Sequence, residues 1–185
     1  MHYDLDWLID QANSGERIKY IFFWGHRPSA DGSVTASCFS QWWTYHPFEH
    51  EDILYKSAEH WMMAGKARLF NDFDMLQLIL ECESPGEAKK LGRKVRNFDH
   101  VIWEKHRFEI VVEGNMHKFS QHDDIREFLI NTGDRVIVEA SPYDRIWGIG
   151  MSKNNENAPR PEKWRGLNLL GFALMVVRDR LMEAC

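Results

Sequence analysis

The stretch Ser57-Ala58-Glu59-His60-Trp61-Met62-Met63-Ala64-Gly65-Lys66-Ala67 sets the terms for the rest of the chain. It reads as the opening turns of a helix. Ser57 is placed to cap it, since its hydroxyl can accept a hydrogen bond from a free backbone N–H of the first turn. Glu59 sits near the positive end of the helix dipole. Glu59 and Lys66 are separated by close to two full turns, so both point to one face. Trp61, Met62 and Met63 pack around them. A charged pair at such a spacing is usually a solvated helix face. Walled by apolar groups, the same carboxylate and amine can do chemistry.

Other features narrow what surrounds this helix. The chain has 185 residues, enough for one domain with a real core. Its formal net charge is −5, and no Lys/Arg block stands out. Tight, sequence-blind binding to duplex nucleic acid is not expected, because that affinity comes from neutralising phosphates. A small anionic ligand or a single modified base stays open. Cys38, Cys82 and Cys185 form no C-x-x-C, which fits a reduced, cytoplasmic setting. Met1 to Asp10 lacks the basic-then-apolar order of a signal peptide. Leu167 to Val177 has the length of a core helix, so no membrane association is expected. Phe22-Phe23-Trp24 and Trp42-Trp43 set flat rings beside polar groups, which suits a nucleobase or sugar. Filling the core is the commoner use of such rings.

Residues 1–17 are polar and read as a short helix and turn. Tyr20 to Trp24 is a strand that Gly25 ends, and Val34 to Phe39 reads as a second strand, able to pair with the first as a hairpin. The Ser57 helix runs to about Phe70, and a short helix follows over Asp72–Glu81. Ser84-Pro85-Gly86-Glu87 is a capping box that starts a helix ending near Val95. Asp99 caps the next helix, with Phe98 able to staple onto Trp103, and that helix runs to about Lys118. Ser120 is a cap for a helix over Gln121–Asn131, which Gly133 closes. Arg135 to Glu139 reads as a buried strand. The last helix begins near Asn168, and Leu167, Leu170, Leu174, Val177 and Leu181 form its core stripe. Gly171 lies on that stripe and permits close packing. These elements predict an α+β fold: one compact, predominantly helical domain over 1–185 with a small β-sheet.

Two further stretches carry chemistry. In Glu139-Ala140-Ser141-Pro142-Tyr143-Asp144-Arg145-Ile146-Trp147-Gly148-Ile149-Gly150 a strand ends in a carboxylate. A turn follows with a second carboxylate and a Trp, then glycines that let backbone approach a ligand. Its plain structural use is a turn with Asp144 as a cap. In Trp164-Arg165-Gly166-Leu167-Asn168, free backbone N–H groups at a helix start, with Arg165, can hold a phosphate, although most helix N-termini bind nothing. Ser152 to Lys163 is a loop without periodicity. His46 and His50 flank Glu49, but Pro47 argues against a helix that would align them, so no metal is expected.

Taken in order, Phe39-Ser40-Gln41-Trp42, Ser57 through Lys66, Lys118-Phe119, Glu139 through Gly150, and Trp164 through Gly171 resemble the YbiA-like, or NADAR (NAD and ADP-ribose), superfamily. The resemblance covers about residue 20 to the C-terminus. It implies an enzyme that cleaves an N-glycosidic bond without a cofactor. The substrates it implies are phosphorylated ribosylamino-pyrimidine intermediates of riboflavin synthesis, or ADP-ribosyl groups on guanine, free or within nucleic acid. No obligate protein partner is implied. The chain departs from the family where Ser-Asn-Phe becomes Ser40-Gln41-Trp42, and where a Gln becomes Met63. Both changes fall at ligand-facing positions.

The resemblance assigns catalysis to Lys66, Glu59 and Asp144. Substrate contacts are expected from Trp24, Gly25, Ser40, Trp42, His60, Trp103, Lys118, Glu139, Trp147, Gly148, Gly150, Arg165 and Asn168. Lys66 would attack an opened sugar as a neutral amine, which burial favours by penalising the ammonium. A Glu59 carboxylate pressed against it would oppose that, so the two must be spaced or bridged. Glu59 would hold ribose hydroxyls or shuttle protons, and Asp144, with Glu139, would move the proton of the leaving base. In a simpler scheme a carboxylate activates water while Lys66 only binds. A module that binds ADP-ribose or a nucleotide without cutting is the alternative function.

Overall fold

In a computed structural model, residues 3–15 and 17–184 are described. Cys185, one of the three cysteines behind the reduced-compartment reading, and the first two residues of the N-terminal segment lie outside them. The chain divides into two packed units, one of residues up to Ser40 and from Asp124 on, the other of Gln41–Asp123. The α+β class holds: among the described residues seven α-helices are accompanied by two small two-stranded sheets.

The first unit is built on a strand pair that no local pattern announces. Strand β1 (Tyr20–Phe23) pairs in parallel with β4 (Val136–Glu139), Tyr20 opposite Val136 and Phe23 opposite Glu139. Val136, Ile137 and Val138 are all buried, the mark of a strand covered on both faces. The hairpin between Tyr20–Trp24 and Val34–Phe39 does not form. Ala36–Phe39 is instead a single 3-10 turn. Cys38 and Phe39 are both fully buried, and a turn can drop two consecutive side chains inward where a strand would point them to opposite faces. Phe39 then packs on Phe23 and Phe128.

Helix α1 (Leu5–Asn13), capped by Asp4, and α6 (Asp123–Ile130) precede β4, and α7 (Leu169–Glu183) lies against it. Leu170, Leu174, Val177 and Leu181 form the buried stripe of α7. Leu167 precedes the helix and is exposed, so it drops out of that stripe.

The second unit opens with a hairpin, β2 (Phe48–His50) and β3 (Ile53–Tyr55), in antiparallel register. Helix α2 (Ala58–Leu69) follows, with α3 (Phe73–Glu81), α4 (Pro85–Gly92) and α5 (His100–Ser120) packed around it. Three caps expected from sequence are in place: Ser57, Ser84 and Asp99 each accept from a backbone N–H three residues on, and Asp72 does the same at the start of α3. Helix α4 stops at Gly92, short of Val95, because the N–H groups of Arg93 and Lys94 turn back onto Lys89 and Leu91. Helix α5 continues through Ser120, whose hydroxyl donates back to His117 rather than capping the next helix. Gln121 cannot begin α6, because its side-chain amide is bound to both backbone groups of Glu49 on β2.

Helices α2 and α5 approach closely. Gly114 faces Trp61, and an added Cβ would lie 2.7 Å from the indole Cγ. The Trp61 Nε1 donates to Ile110 O at 2.8 Å, which fixes the ring where it is. Gly114→Ala should therefore destabilise the protein by about 1–3 kcal/mol, the usual range for overpacking. The check is a urea titration, and a wild-type midpoint would show that the indole can move.

Candidate functional site

Lys66 is half-buried on α2, near the helix C-terminus. Its Nζ donates to Gly92 O at 2.8 Å, just where α4 ends. The Phe98 ring lies 4.0 Å from the same nitrogen and the Trp103 ring 5.7 Å. Burial lowers the Lys66 pKa from its ordinary value, and the Arg93 guanidinium lowers it further. The expected Phe98–Trp103 staple thus takes the form of two rings flanking one amine. Phe98, Arg93 and the Gly92 carbonyl were not among the expected site residues. The only sequence signal for them was the Phe98–Asp99 helix start.

Glu59 is 2% exposed, which removes the reading of a solvated face. Its N–H donates to Gln41 O at 2.9 Å. Gln41 is buried too, and its Oε1 accepts from Asn115 Nδ2, which also donates to Val111 O. Neighbouring Trp42 is half-buried against α4, with Lys89 Nζ 5.9 Å from its ring. Lys118 is fully buried, with its Nζ over the Phe119 ring.

His60 is a structural residue in this arrangement. It is 1% exposed, and both ring nitrogens have protein partners: Nδ1 with Ser57 Oγ at 2.8 Å and Nε2 with Cys82 O at 3.2 Å. A carbonyl only accepts, so Nε2 carries the proton and Nδ1 accepts from the serine hydroxyl. Burial lowers the pKa of this imidazole and holds it neutral. The expected substrate contact from His60 gives way to a link between the start of α2 and the end of α3. A separate cavity of about 440 Å³ between α2 and α5 is lined by His50, Trp61, Arg68 and His106 among others, and holds none of the expected site residues.

In the other unit, β1 and β4 run parallel, so Trp24 and Gly25 leave the sheet beside Glu139 and Ala140. Ala140 N donates to Phe23 O. Ligands of parallel sheets gather at such carboxyl ends. Trp24 and Tyr143, both exposed, face each other with ring centroids 6.3 Å apart. Asp144 Oδ1 accepts from the N–H groups of Ile146 and Trp147 at 2.8 and 2.7 Å, an Asx-type turn. That fixes one carboxylate oxygen to the loop.

The loop and the start of α7 are zipped together. Asn168, Leu169 and Leu170 donate their N–H groups to Gly148, Ile146 and Trp147 carbonyls, and Arg165 N donates to Ile149 O. The free N–H groups expected to hold a phosphate there are spent on the chain's own carbonyls. Asn168 is fully buried in the left-handed region, with its Oδ1 accepting from Glu139 N and its Nδ2 donating to Ile137 O. It positions Glu139 and leaves no group for a phosphate. Gly148 is likewise required by the protein itself, since a Cβ would press on Glu139 O at 2.8 Å. Gly148 admits backbone to backbone, and Gly150 lies in the left-handed region with the Arg165 and Arg145 side chains against it. Ser40 is half-buried next to the Ala36–Phe39 turn, and the Arg165 side chain is exposed.

The NADAR domain family matches residues 22–182. An N-glycosidase of Acanthamoeba polyphaga mimivirus is 45% identical over 168 residues, covering 89% of this chain and 97% of that protein. An N-glycosidase of Nostoc punctiforme is 35% identical over 144 residues, 78% of this chain and 85% of that protein. The solved NMR structure of the E. coli protein YbiA superposes with a TM-score of 0.68 at 23% identity, covering 91% of this chain and 88% of that one, which supports the fold. Among the described residues no helix is long and apolar enough to cross a membrane.

Two experiments read the structural assignments. Asn168→Gly keeps the left-handed backbone but strands Ile137 O and Glu139 N, and should cost about 2–4 kcal/mol in urea unfolding. A loss below 1 kcal/mol would mean that the side chain is dispensable. The lowered His60 pKa means that the unfolded chain binds its proton first as pH falls. Stability should be full above pH ~6.5 and decline below it. His60→Gln, which keeps a donor and an acceptor, should make that decline shallower, and an unchanged pH dependence would mean that His60 binds its proton equally well in the folded and unfolded chain.

Proposed function

The chain belongs to the NADAR domain family and is an N-glycosyl hydrolase, and we propose that it releases ADP-ribose from guanine bases by way of a covalent adduct on Lys66. The observation that carries this reading is the state of the Lys66 amine. Burial and the Arg93 charge both push it towards the neutral form, which is the form that can attack carbon.

Cleavage of a C1–N bond builds positive charge on the sugar carbon. In the proposed sequence the C1–O4 bond of the ring breaks as O4 takes a proton, which leaves C1 doubly bonded to the base nitrogen, and the Lys66 nitrogen adds to C1 and passes a proton to that nitrogen. The C1–N bond to the base breaks, and the base leaves carrying a proton. The resulting iminium between Lys66 and C1 is hydrolysed by water, which returns the amine and frees the sugar aldehyde. Glu59 is proposed to hold ribose hydroxyls or shuttle protons from a buried position. Asp144 is proposed to handle the proton of the leaving base. Its Oδ1 is bound to the loop, which leaves Oδ2 for that transfer. Trp103 beside Lys66 is proposed to stack on base or sugar, and Trp24 and Trp147 are further candidate contacts.

Phosphorylated ribosylamino-pyrimidines of riboflavin synthesis are the second substrate class, with the same bond and the same lysine. The two classes are separated by incubating the protein with each and identifying the released base by mass spectrometry.

Reduction with sodium borohydride during turnover tests the covalent step. The wild type should gain the mass of the reduced sugar adduct, on a peptide containing Lys66. Lys66→Ala should gain none and should lose at least about three orders of magnitude in turnover, as loss of a nucleophile does in related covalent schemes. Full activity in Lys66→Ala with no adduct in the wild type would leave only the direct attack of water.

A further inference from the structure

The chain is acidic overall, yet Lys89, Lys90, Arg93, Lys94 and Arg96 crowd one short segment from the end of α4 onward. The end of a helix favours such cations through its dipole. The fold gives three of them another setting. A cleft of about 720 Å³ is lined by Lys89, Lys90 and Arg93 together with Trp42, and Ser84, Gly86 and Glu87 complete it. That volume is in the range of small-molecule sites and exceeds what one phosphate needs.

The charges in this cleft are uncommitted. Three cations of the same unit have carboxylate partners: Lys56 has Glu83, Arg96 has Asp72 and Asp74, and Arg107 has Glu104. Among the described residues Lys89, Lys90 and Arg93 make no salt bridge. Glu87 is the one acid on the lining, so the cleft keeps an excess of positive charge.

Trp42 supplies the flat wall. Its ring rests on the first turn of α4, where an added Cβ on Gly86 would stand 3.5 Å from Cη2. Lys89 Nζ lies 5.9 Å from the ring. An aromatic face flanked by unpaired cations is the arrangement that holds a base by stacking and its phosphates by charge. The cleft also adjoins the amine assigned to attack: Gly92, which accepts from Lys66, immediately precedes Arg93, whose charge acts on that amine.

We propose that this cleft is the subsite for a phosphorylated nucleotide group of the substrate, with the base on Trp42 and the phosphates on Lys89, Lys90 and Arg93. The inference deepens the glycosidase reading and rests on it for the word substrate. The same chemistry has two sources, a diphosphate carried by the small substrate itself or a flanking nucleotide of a nucleic-acid strand.

Binding without turnover tests it. The full chain carrying Lys66→Ala is titrated at low salt with ADP, adenosine, inorganic pyrophosphate and a short single-stranded oligonucleotide, followed by calorimetry. ADP or the oligonucleotide should bind, and adenosine should bind at least about tenfold more weakly, a difference of 1.4 kcal/mol. The tighter of the two names the source. Adding Lys89→Glu and Lys90→Glu should weaken that binding about tenfold or more and flatten its salt dependence. Adding Trp42→Ala should remove the advantage of ADP over pyrophosphate. The lysine pair is exposed or half-exposed, so the charge-reversed chain should keep the wild-type circular dichroism spectrum.

No binding of either nucleotide by the folded chain would overturn the proposal. So would binding that the lysine reversals leave unchanged, or pyrophosphate binding as tight as ADP with Trp42 intact. Failure of the glycosidase reading looks different: wild-type protein would release no base while nucleotide binding and its dependence on Lys89 and Lys90 persist.

Discussion

Burying α2 among α3, α4 and α5 is the constraint from which the rest of the second unit follows. A helix covered this way cannot leave polar groups without partners, because an unmet buried donor or acceptor costs about 1–3 kcal/mol. His60 meets that demand with Ser57 and Cys82. Lys66 meets it with the Gly92 carbonyl and two aromatic faces. Each partner comes from a different neighbour, so satisfying the polar groups of α2 also fixes where α3, α4 and the start of α5 must sit. The groups proposed for chemistry are thus held by the packing that orders the unit.

The first unit solves a similar problem with backbone. Parallel strands β1 and β4 leave their carboxyl ends to be continued by loops, and the 139–150 loop has little regular structure of its own. It is ordered instead by carbonyls that accept from the start of α7 and by the Asn168 amide. An Asn in the left-handed region is the compact way to do this, since a side chain with one donor and one acceptor can bind two residues of β4 at once. The cost is that the N–H groups of Asn168, Leu169 and Leu170 are taken by the chain's own carbonyls and not left for an anion.

These cases show which parts of the structure were legible. The caps at Ser57, Ser84 and Asp99 involve partners three residues away, and local spacing was enough to place them. The hairpin expected at Val34–Phe39 and the α6 start at Gln121 failed because their outcome is decided at long range, by β4 taking the edge of β1 and by Glu49 taking the Gln121 amide. The roles of His60 and Asn168 were misread for the same reason. Their side chains are of types that bind ligands, and only the fold shows that Cys82 and Ile137 already occupy them. The cationic cleft was hidden differently. The charges were in view, but nothing in their spacing said that Trp42 would lie beside them.

The environment of Lys66 combines influences of opposite sign on the charge of its amine. The Phe98 ring at 4.0 Å favours the ammonium. Burial and Arg93 favour the neutral form, and their sum prevails. The bond to Gly92 O holds the nitrogen in place in either state, because an amine and an ammonium both donate. Phe98 is 43% exposed, so one wall of this setting borders solvent while Trp103, at 9%, does not. A group entering past Phe98 would meet an amine already held in place and already shifted towards its neutral form.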